Sequence, residues 1–324
     1  MNNLGVVAAV RGHNRQAIRY WHQALKIGRE IGYSARLSAV QVNIGVKYFE
    51  SGKLQDAEIS YLQGLDYLRR AEKITDQIYC LGNLSELQLC HANYRASYYY
   101  NTAARDLATS AESAELQFQP LLQLAELHCR TGNHDIAYET LLAAERLSPD
   151  PSDIDRLRIA SMKNACHPNT EPAIDLSESI ASGDWERIDE ATLILWWLQN
   201  RNPDESSEFT LFAQRLHALG IEAQHLWIES WGKYYSLLAA STTTAADWEN
   251  SVRNVTQFPE IHWRVLWKAG NAWRSVGEHV SARNSFRKAI QILKQITSQL
   301  HSGEAATYLK ASDPSRFRLD MTAQ

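Results

Sequence analysis

Residues 43–65 read NIGVKYFESGKLQDAEISYLQGL. The same arrangement returns without gaps at 3–25 (NLGVVAAVRGHNRQAIRYWHQAL), 123–145 (QLAELHCRTGNHDIAYETLLAAE) and 268–290 (KAGNAWRSVGEHVSARNSFRKAI). A fifth stretch, 83–105 (NLSELQLCHANYRASYYYNTAAR), fits if one residue is lost before its turn. A fixed interval of this kind marks an array of small units, each unable to bury its apolar face alone.

The spacing inside the unit has a mechanical meaning. A small residue follows another apolar one at Leu4-Gly5, Ile44-Gly45, Leu124-Ala125 and Ala269-Gly270, which lets a second helix approach closely. A glycine then ends the first helix, helix A, at Gly12, Gly52, Gly132 and Gly277, in the left-handed state that glycine adopts at least cost. An Ala follows (Ala17, Ala57, Ala137, Ala282), then a large residue (Trp21, Tyr61, Leu141, Phe286), then a small one (Ala24, Gly64, Ala144, Ala289). Their i, i+4, i+7 spacing places them on one face of helix B, which packs into its hairpin partner and the next unit.

This order of residues resembles the tetratricopeptide-repeat signature, with Pro149 supplying the closing proline in one unit. The match covers 1–150 and 262–300. It implies an all-α fold, a right-handed α-solenoid of antiparallel helix pairs, with helix A lining the concave side and helix B the convex side. The period is about 40 residues rather than the roughly 34 usual for the family. The added residues are expected to lengthen helix B, which is similar to the longer repeats of kinesin light chains and of C-terminal sensor regions in bacterial signalling proteins.

Three regions are expected: an N-terminal array of four repeats at 1–150, divergent helical pairs at 151–260, and a C-terminal repeat with a closing helix at 261–324. In the middle region SPDPSD, ACHPNTEP and NRNPDES are breakers, and STTTAAD reads as a loop feeding a helix N-cap. Helices are expected near 153–164, 171–182, 184–200, 207–219, 222–239 and 245–256, making three more antiparallel pairs. Nine of the ten tryptophans fall between 185 and 273, with Trp227 and Trp231, and Trp263 and Trp267, at i, i+4 spacing. Filling the wider gaps of irregular repeats is the first reading of these rings; an aromatic partner surface is the second.

The 324 residues are 44% hydrophobic and 22% charged, enough for one extended array or two ordinary domains. No apolar run reaches about 18 residues, and the first 30 residues carry Arg11, Arg15 and Arg19 without an apolar core segment. Neither a membrane span nor a secretory signal is expected, and the expected location is cytoplasmic. The net charge of −4 hides a gradient of +4 over 1–60, −14 over 61–260 and +6 over 261–320. The acidic middle argues against a nucleic-acid partner. Cys80, Cys90, Cys129 and Cys166 show no C-x-x-C spacing and read as small buried hydrophobes in a reducing compartment.

No phosphate loop, dinucleotide fingerprint, H-E-x-x-H or nucleophile elbow occurs, so no catalytic residue, metal site or cofactor is expected. The eleven histidines are scattered. The acidic run EPAIDLSESIASGDWERIDEA (171–191) reads as a solvated face, with docking of a basic partner as the alternative.

Asn3, Asn43, Asn83 and Gln123 recur at the interval of the repeat itself, each one position before the aliphatic-small pair or its equivalent. In the family this helix A position faces the groove, and in kinesin light chains Asn there holds peptide backbone. The resemblance therefore implies a protein or peptide partner clamped by these amides, each offering a donor and an acceptor. Lys47, Glu50, Glu86 and Arg130 are expected nearby, supplying specificity by charge. A non-enzymatic interaction module is the resulting expectation. The alternative is the sensory part of a signalling kinase, nucleotide-switch ATPase or transcription regulator, whose closing helices GEAATYLKASDPSRFRLD resembles. A receptor for short free peptides is a third reading. Met1 enters the pattern about a turn late, so the first helix is expected to lack its cap, leaving that end open to a preceding segment, a partner or self-association.

Overall fold

The computed structural model describes residues 1–31, 37–148, 150–167, 176–183, 185–199, 207–240, 242–253 and 255–312. Pro149, the prolines of ACHPNTEP, all of NRNPDES, the first part of the acidic run and the tail beyond 312 lie outside them. Among the described residues every regular element is helical. No helix there is long and apolar enough to cross a membrane.

Five helices follow one another at a fixed pitch: α4 (Leu54–Arg70), α5 (Ile74–Cys90), α6 (Tyr94–Ser110), α7 (Ala114–Arg130) and α8 (His134–Leu147). Their first positions, 54, 74, 94, 114 and 134, are evenly spaced, and α2 (Asn14–Glu30) stands on the same grid. Helices A and B are therefore both long, α4 to α7 having 17 residues each, so the added residues do not lengthen helix B alone. The first two helices A are shorter: α1 (Asn2–Val10) has nine residues and α3 (Leu37–Glu50) fourteen. Leu4, Val7 and Val10 of α1 remain exposed, and Met1 makes no side-chain cap.

Eight of the turns between helices have the same backbone chemistry. Gly52 N–H bonds to Phe49 C=O at 2.9 Å and Lys53 N–H to Tyr48 C=O at 2.8 Å, the paired bonds of a Schellman motif. The same pair of bonds closes the turns at Gly12, Glu72, Ala92, Glu112, Gly132, Gln224 and Gly277. All eight turn residues are left-handed, with φ between 52° and 83°, and four of them are not glycine. Ala92 thus holds the glycine position of the fifth stretch. Because α4 and α6 begin at equivalent positions of the repeat, 54 and 94, no residue is lost there.

Small residues and rings set the distance inside each hairpin. A Cβ on Gly5 would lie 2.3 Å from Trp21 Nε1, one on Gly45 2.6 Å from Tyr61 Cδ1, and one on Gly270 2.6 Å from Phe286 Cε1. Ala17, Ala57 and Ala137 are fully buried at the crossing. The unit at 83–105 differs: Ser85 and Ser97 stand at the Gly45 and Ala57 positions, and the Ser85 hydroxyl bonds Ser97 C=O at 3.0 Å. Helix B also packs on the following helix A, as α2 on α3, α4 on α5 and α6 on α7.

The later helices are α9 (Asp153–Cys166), α10 (Leu176–Ser182), α11 (Arg187–Gln199), α12 (Ser207–Glu222), α13 (Leu226–Ala239), α14 (Ala245–Val252), α15 (Pro259–Ser275), α16 (His279–Thr297) and α17 (Ser302–Ser312). Thr244 and Asp247 form the reciprocal capping box that starts α14, as STTTAAD suggests. The helices pair with neighbours in sequence but not as the expected pairs, because α12 packs closely on α13 and α14 lies mainly on α15. Gly220 and Gly232 allow that closeness: a Cβ on either would fall 2.3 Å from a backbone nitrogen of the facing helix. Trp196, Trp197, Trp231, Trp248, Trp263 and Trp267 are buried, so most of the tryptophan cluster fills the core.

α3, α5, α7, α9, α11, α13 and α15 touch in that order. The C-terminal part then returns to the turns of the first four hairpins. Asn14 Nδ2 donates to Gln224 Oε1 at 2.9 Å, and Leu226 packs on Gly52. The Phe49 and His225 rings meet edge-on at 5.4 Å. Tyr94 bonds Glu260, and Asn133 Nδ2 donates to Glu304 Oε1 at 3.0 Å.

Candidate functional site

Residues three or four apart share a helix face, and the constant repeat interval presents the same face again in each successive helix A. Asn43, Asn83 and Gln123 therefore form a row across α3, α5 and α7. The helices are close enough that Gln123 Oε1 lies 3.4 Å from where a Cβ on Gly82 would stand. All three side chains are half-buried, and Asn3 on α1 holds the same register in an exposed position. None of the four amides makes a hydrogen bond among the described residues.

The charged residues one turn or two along the same helices are divided between partners. Lys47 Nζ bonds Glu50 at 2.7 and 3.0 Å, with both side chains largely buried. Burial raises the Glu50 carboxyl and Lys47 opposes the rise. Arg130 Nη2 lies 2.9 Å from Glu126 Oε1, and Arg158 Nη2 lies 3.5 Å from Glu126 Oε2. Burial alone would raise the Glu126 carboxyl, but the two guanidinium groups outweigh it and hold it below the usual value. Arg130 also stands 5.8 Å from the centre of the Trp227 ring on α13. Arg158 reaches Asp155 at 3.4 Å, and Gln119 Nε2 donates to the same carboxylate at 3.3 Å.

Glu86 is different. It sits one turn beyond Asn83 on α5, open to solvent, and its carboxylate has neither ion pair nor hydrogen bond among the described residues. The protein packed around it raises its pKa, Glu126 adds to the rise, and Arg158 and Arg130 oppose it. Of the eight residues singled out in sequence, the structure gathers Asn43, Asn83, Gln123 and Glu86 on one face with open bonding capacity. Lys47, Glu50 and Arg130 are engaged in contacts of the fold.

Glu126, Gln119, Asp155 and Arg158 belong to this face or its border and escape the sequence reading, while Trp227, noted there with Trp231, stands at its border. Glu126 stands on α7 where Glu86 stands on α5, so the same register would have found it. A separate cleft of about 520 Å³ opens between α2 and α4, over Gln41, with Lys26, Arg29, Asp56 and Gln63 on its walls. Among the described residues no three His, Cys, Asp or Glu side chains are placed to hold a metal ion. The amide face can bind through hydrogen bonds and charge; it holds no nucleophile beside a base. No protein-family model matches this chain, and no curated protein does.

Proposed function

We propose that the chain is a tetratricopeptide-type, right-handed α-solenoid acting in the cytoplasm as a non-enzymatic interaction module, with an extended protein segment held along its concave helix A face. The observation that carries this is the row of Asn43, Asn83 and Gln123, three amides in one register with no bonding partner among the described residues. The amides are free to bond, and an extended backbone offers N–H and C=O groups that match them. Packed helices stand roughly 8–10 Å apart and an extended chain rises about 3.3 Å per residue, so successive amides address every third residue or so of the segment. The unpaired Glu86 carboxylate beside the row favours a Lys or Arg in that segment.

The test is selection from a random displayed peptide library, followed by titration of the selected peptides against variants. Basic, extended sequences are expected to be enriched. The triple variant Asn43→Ala, Asn83→Ala, Gln123→Ala is expected to weaken them by about 1.5–4 kcal/mol, at roughly 0.5–1.5 kcal/mol per hydrogen bond, without lowering the melting temperature. Equal affinity in a folded triple variant overturns the reading.

A further inference from the structure

Cys129, next to last in α7, and Cys166, the last residue of α9, bring their sulfurs to 3.3 Å as free thiols. They are 37 positions apart and share no motif. Two imidazoles attend them: His134 opens α8, and His167 follows Cys166 directly. His167 Nε2 lies 3.7 Å from Asp135 Oδ1, and its ring meets Tyr138 edge-on at 4.6 Å. We propose that Cys129 and Cys166 form a dithiol switch, in which Cys166 is oxidised by a hydroperoxide and Cys129 resolves the product into a disulfide joining α7 to α9.

The neighbouring Cys129 thiol and the His134 and His167 imidazoles pull the Cys166 thiol down against its burial, while Cys129 is pushed up. One sulfur is thus the thiolate and the other keeps the proton, the division of labour that an attacking and a resolving cysteine need. The Cys166 thiolate attacks a peroxide oxygen; an S–O bond forms, the O–O bond breaks, and the departing oxygen takes up a proton to leave as water or an alcohol. The Cys129 sulfur then attacks the Cys166 sulfenic acid. An S–S bond forms, the S–O bond breaks, and hydroxide leaves as water with the Cys129 proton. Two thiols supply the two electrons that reduce one peroxide.

The sulfurs need close only by about 1.3 Å to reach a disulfide length near 2.05 Å. Cys80 and Cys90 serve as internal controls: they are buried as Cys166 is, but burial raises their thiols, and neither has a sulfur or imidazole partner among the described residues. The bridge would pin the two helices that carry Glu126, Arg130, Asp155 and Arg158.

The reduced full chain is treated with one equivalent of hydrogen peroxide, quenched with a thiol alkylator, digested and sequenced by mass spectrometry. A Cys129–Cys166 cross-linked peptide is expected, reversible by dithiothreitol, with Cys80 and Cys90 still alkylated. Cys129→Ser is expected to stop at a Cys166 sulfenic acid trapped by dimedone, and His134→Asn to slow the reaction roughly tenfold at neutral pH. Even oxidation of all four thiols, disulfides between chains, or protection of the pair by one equivalent of zinc would each overturn the proposal. The cross-link is read on the unaltered protein, so a variant that fails to fold leaves the test intact.

Discussion

The hydroxyl of Tyr94, at the start of α6, donates to Glu260 Oε1 at the start of α15, across 166 positions of sequence. Tyr308 of α17 donates to the same oxygen at 2.7 Å, and Arg264 binds the other carboxylate oxygen. One buried carboxylate thus joins three distant parts of the chain. Removing its charge leaves Arg264 buried without its partner, so Glu260→Gln is expected to cost about 3–5 kcal/mol. Tyr94→Phe removes one hydrogen bond to a charge and is expected to cost about 1.5–3 kcal/mol. Urea unfolding of both variants checks the order; equal losses would refute it.

The same carboxylate sets a pH dependence. Burial alone would raise it, yet Arg264 and the two tyrosine hydroxyls hold it below its ordinary 4.5. A depressed carboxyl contributes stability that is present above the unfolded value and lost as pH falls through the folded one. The wild-type melting temperature should therefore drop below about pH 4.5 more steeply than that of Glu260→Gln.

His225 gives a second dependence at higher pH. It is buried at the entry to α13 against Phe49, and burial, helped by Lys47, pushes it down to about 4 from 6.5. The unfolded chain takes up this proton first, so stability should fall by about 3 kcal/mol as pH drops from 6.5 to 4. His225→Gln should flatten that part of the profile, as stability curves at pH 4.5 and 7 would show.

Asn101 occupies on α6 the position that Trp21, Tyr61 and Leu141 hold on the other helices B. It is 1% exposed, and neither its Oδ1 nor its Nδ2 has a hydrogen-bond partner among the described residues. A buried amide left unbonded costs roughly 1–3 kcal/mol. Asn101→Leu is expected to recover about that much, read as a higher urea midpoint at unchanged slope. A lower midpoint would mean that the amide is satisfied in solution.

The hairpins were legible because Gly5 with Trp21, and Gly45 with Tyr61, encode a helix approach that few other residue pairs permit. The amide row was legible for a related reason: a register that repeats from one helix A to the next carries a face with it. What escaped depends on contacts that no local pattern records. Tyr94 and Glu260 meet only because the C-terminal helices return to the first turns, and Cys129 and Cys166 because α9 docks beside α7. Arg158 lies on a helix outside the even grid, so its contact with Glu126 follows no repeat interval. The even pitch itself was hidden at Glu72, Ala92 and Glu112, where the left-handed turn residue is not glycine.

Those turns carry the last prediction. Glu72 and Glu112 have φ of 52°, a region that costs a residue with a Cβ about 1–2 kcal/mol. The two Schellman bonds of each turn hold them there. Both side chains are exposed and make no hydrogen bond among the described residues, so replacement removes strain without removing a contact. Glycine restores about 0.4–1 kcal/mol of unfolded-state freedom, which offsets part of the gain. Glu72→Gly and Glu112→Gly should each stabilise by about 0.5–1 kcal/mol, and the pair should add, since the turns are separate. Gly132→Ala should do the reverse and more, because its Cβ would also strike Thr307 at 2.5 Å, where α17 docks on the turn. Thermal melts of the three variants decide it: a destabilised Glu112→Gly would show that the turn glutamates support the fold in a way their geometry does not explain.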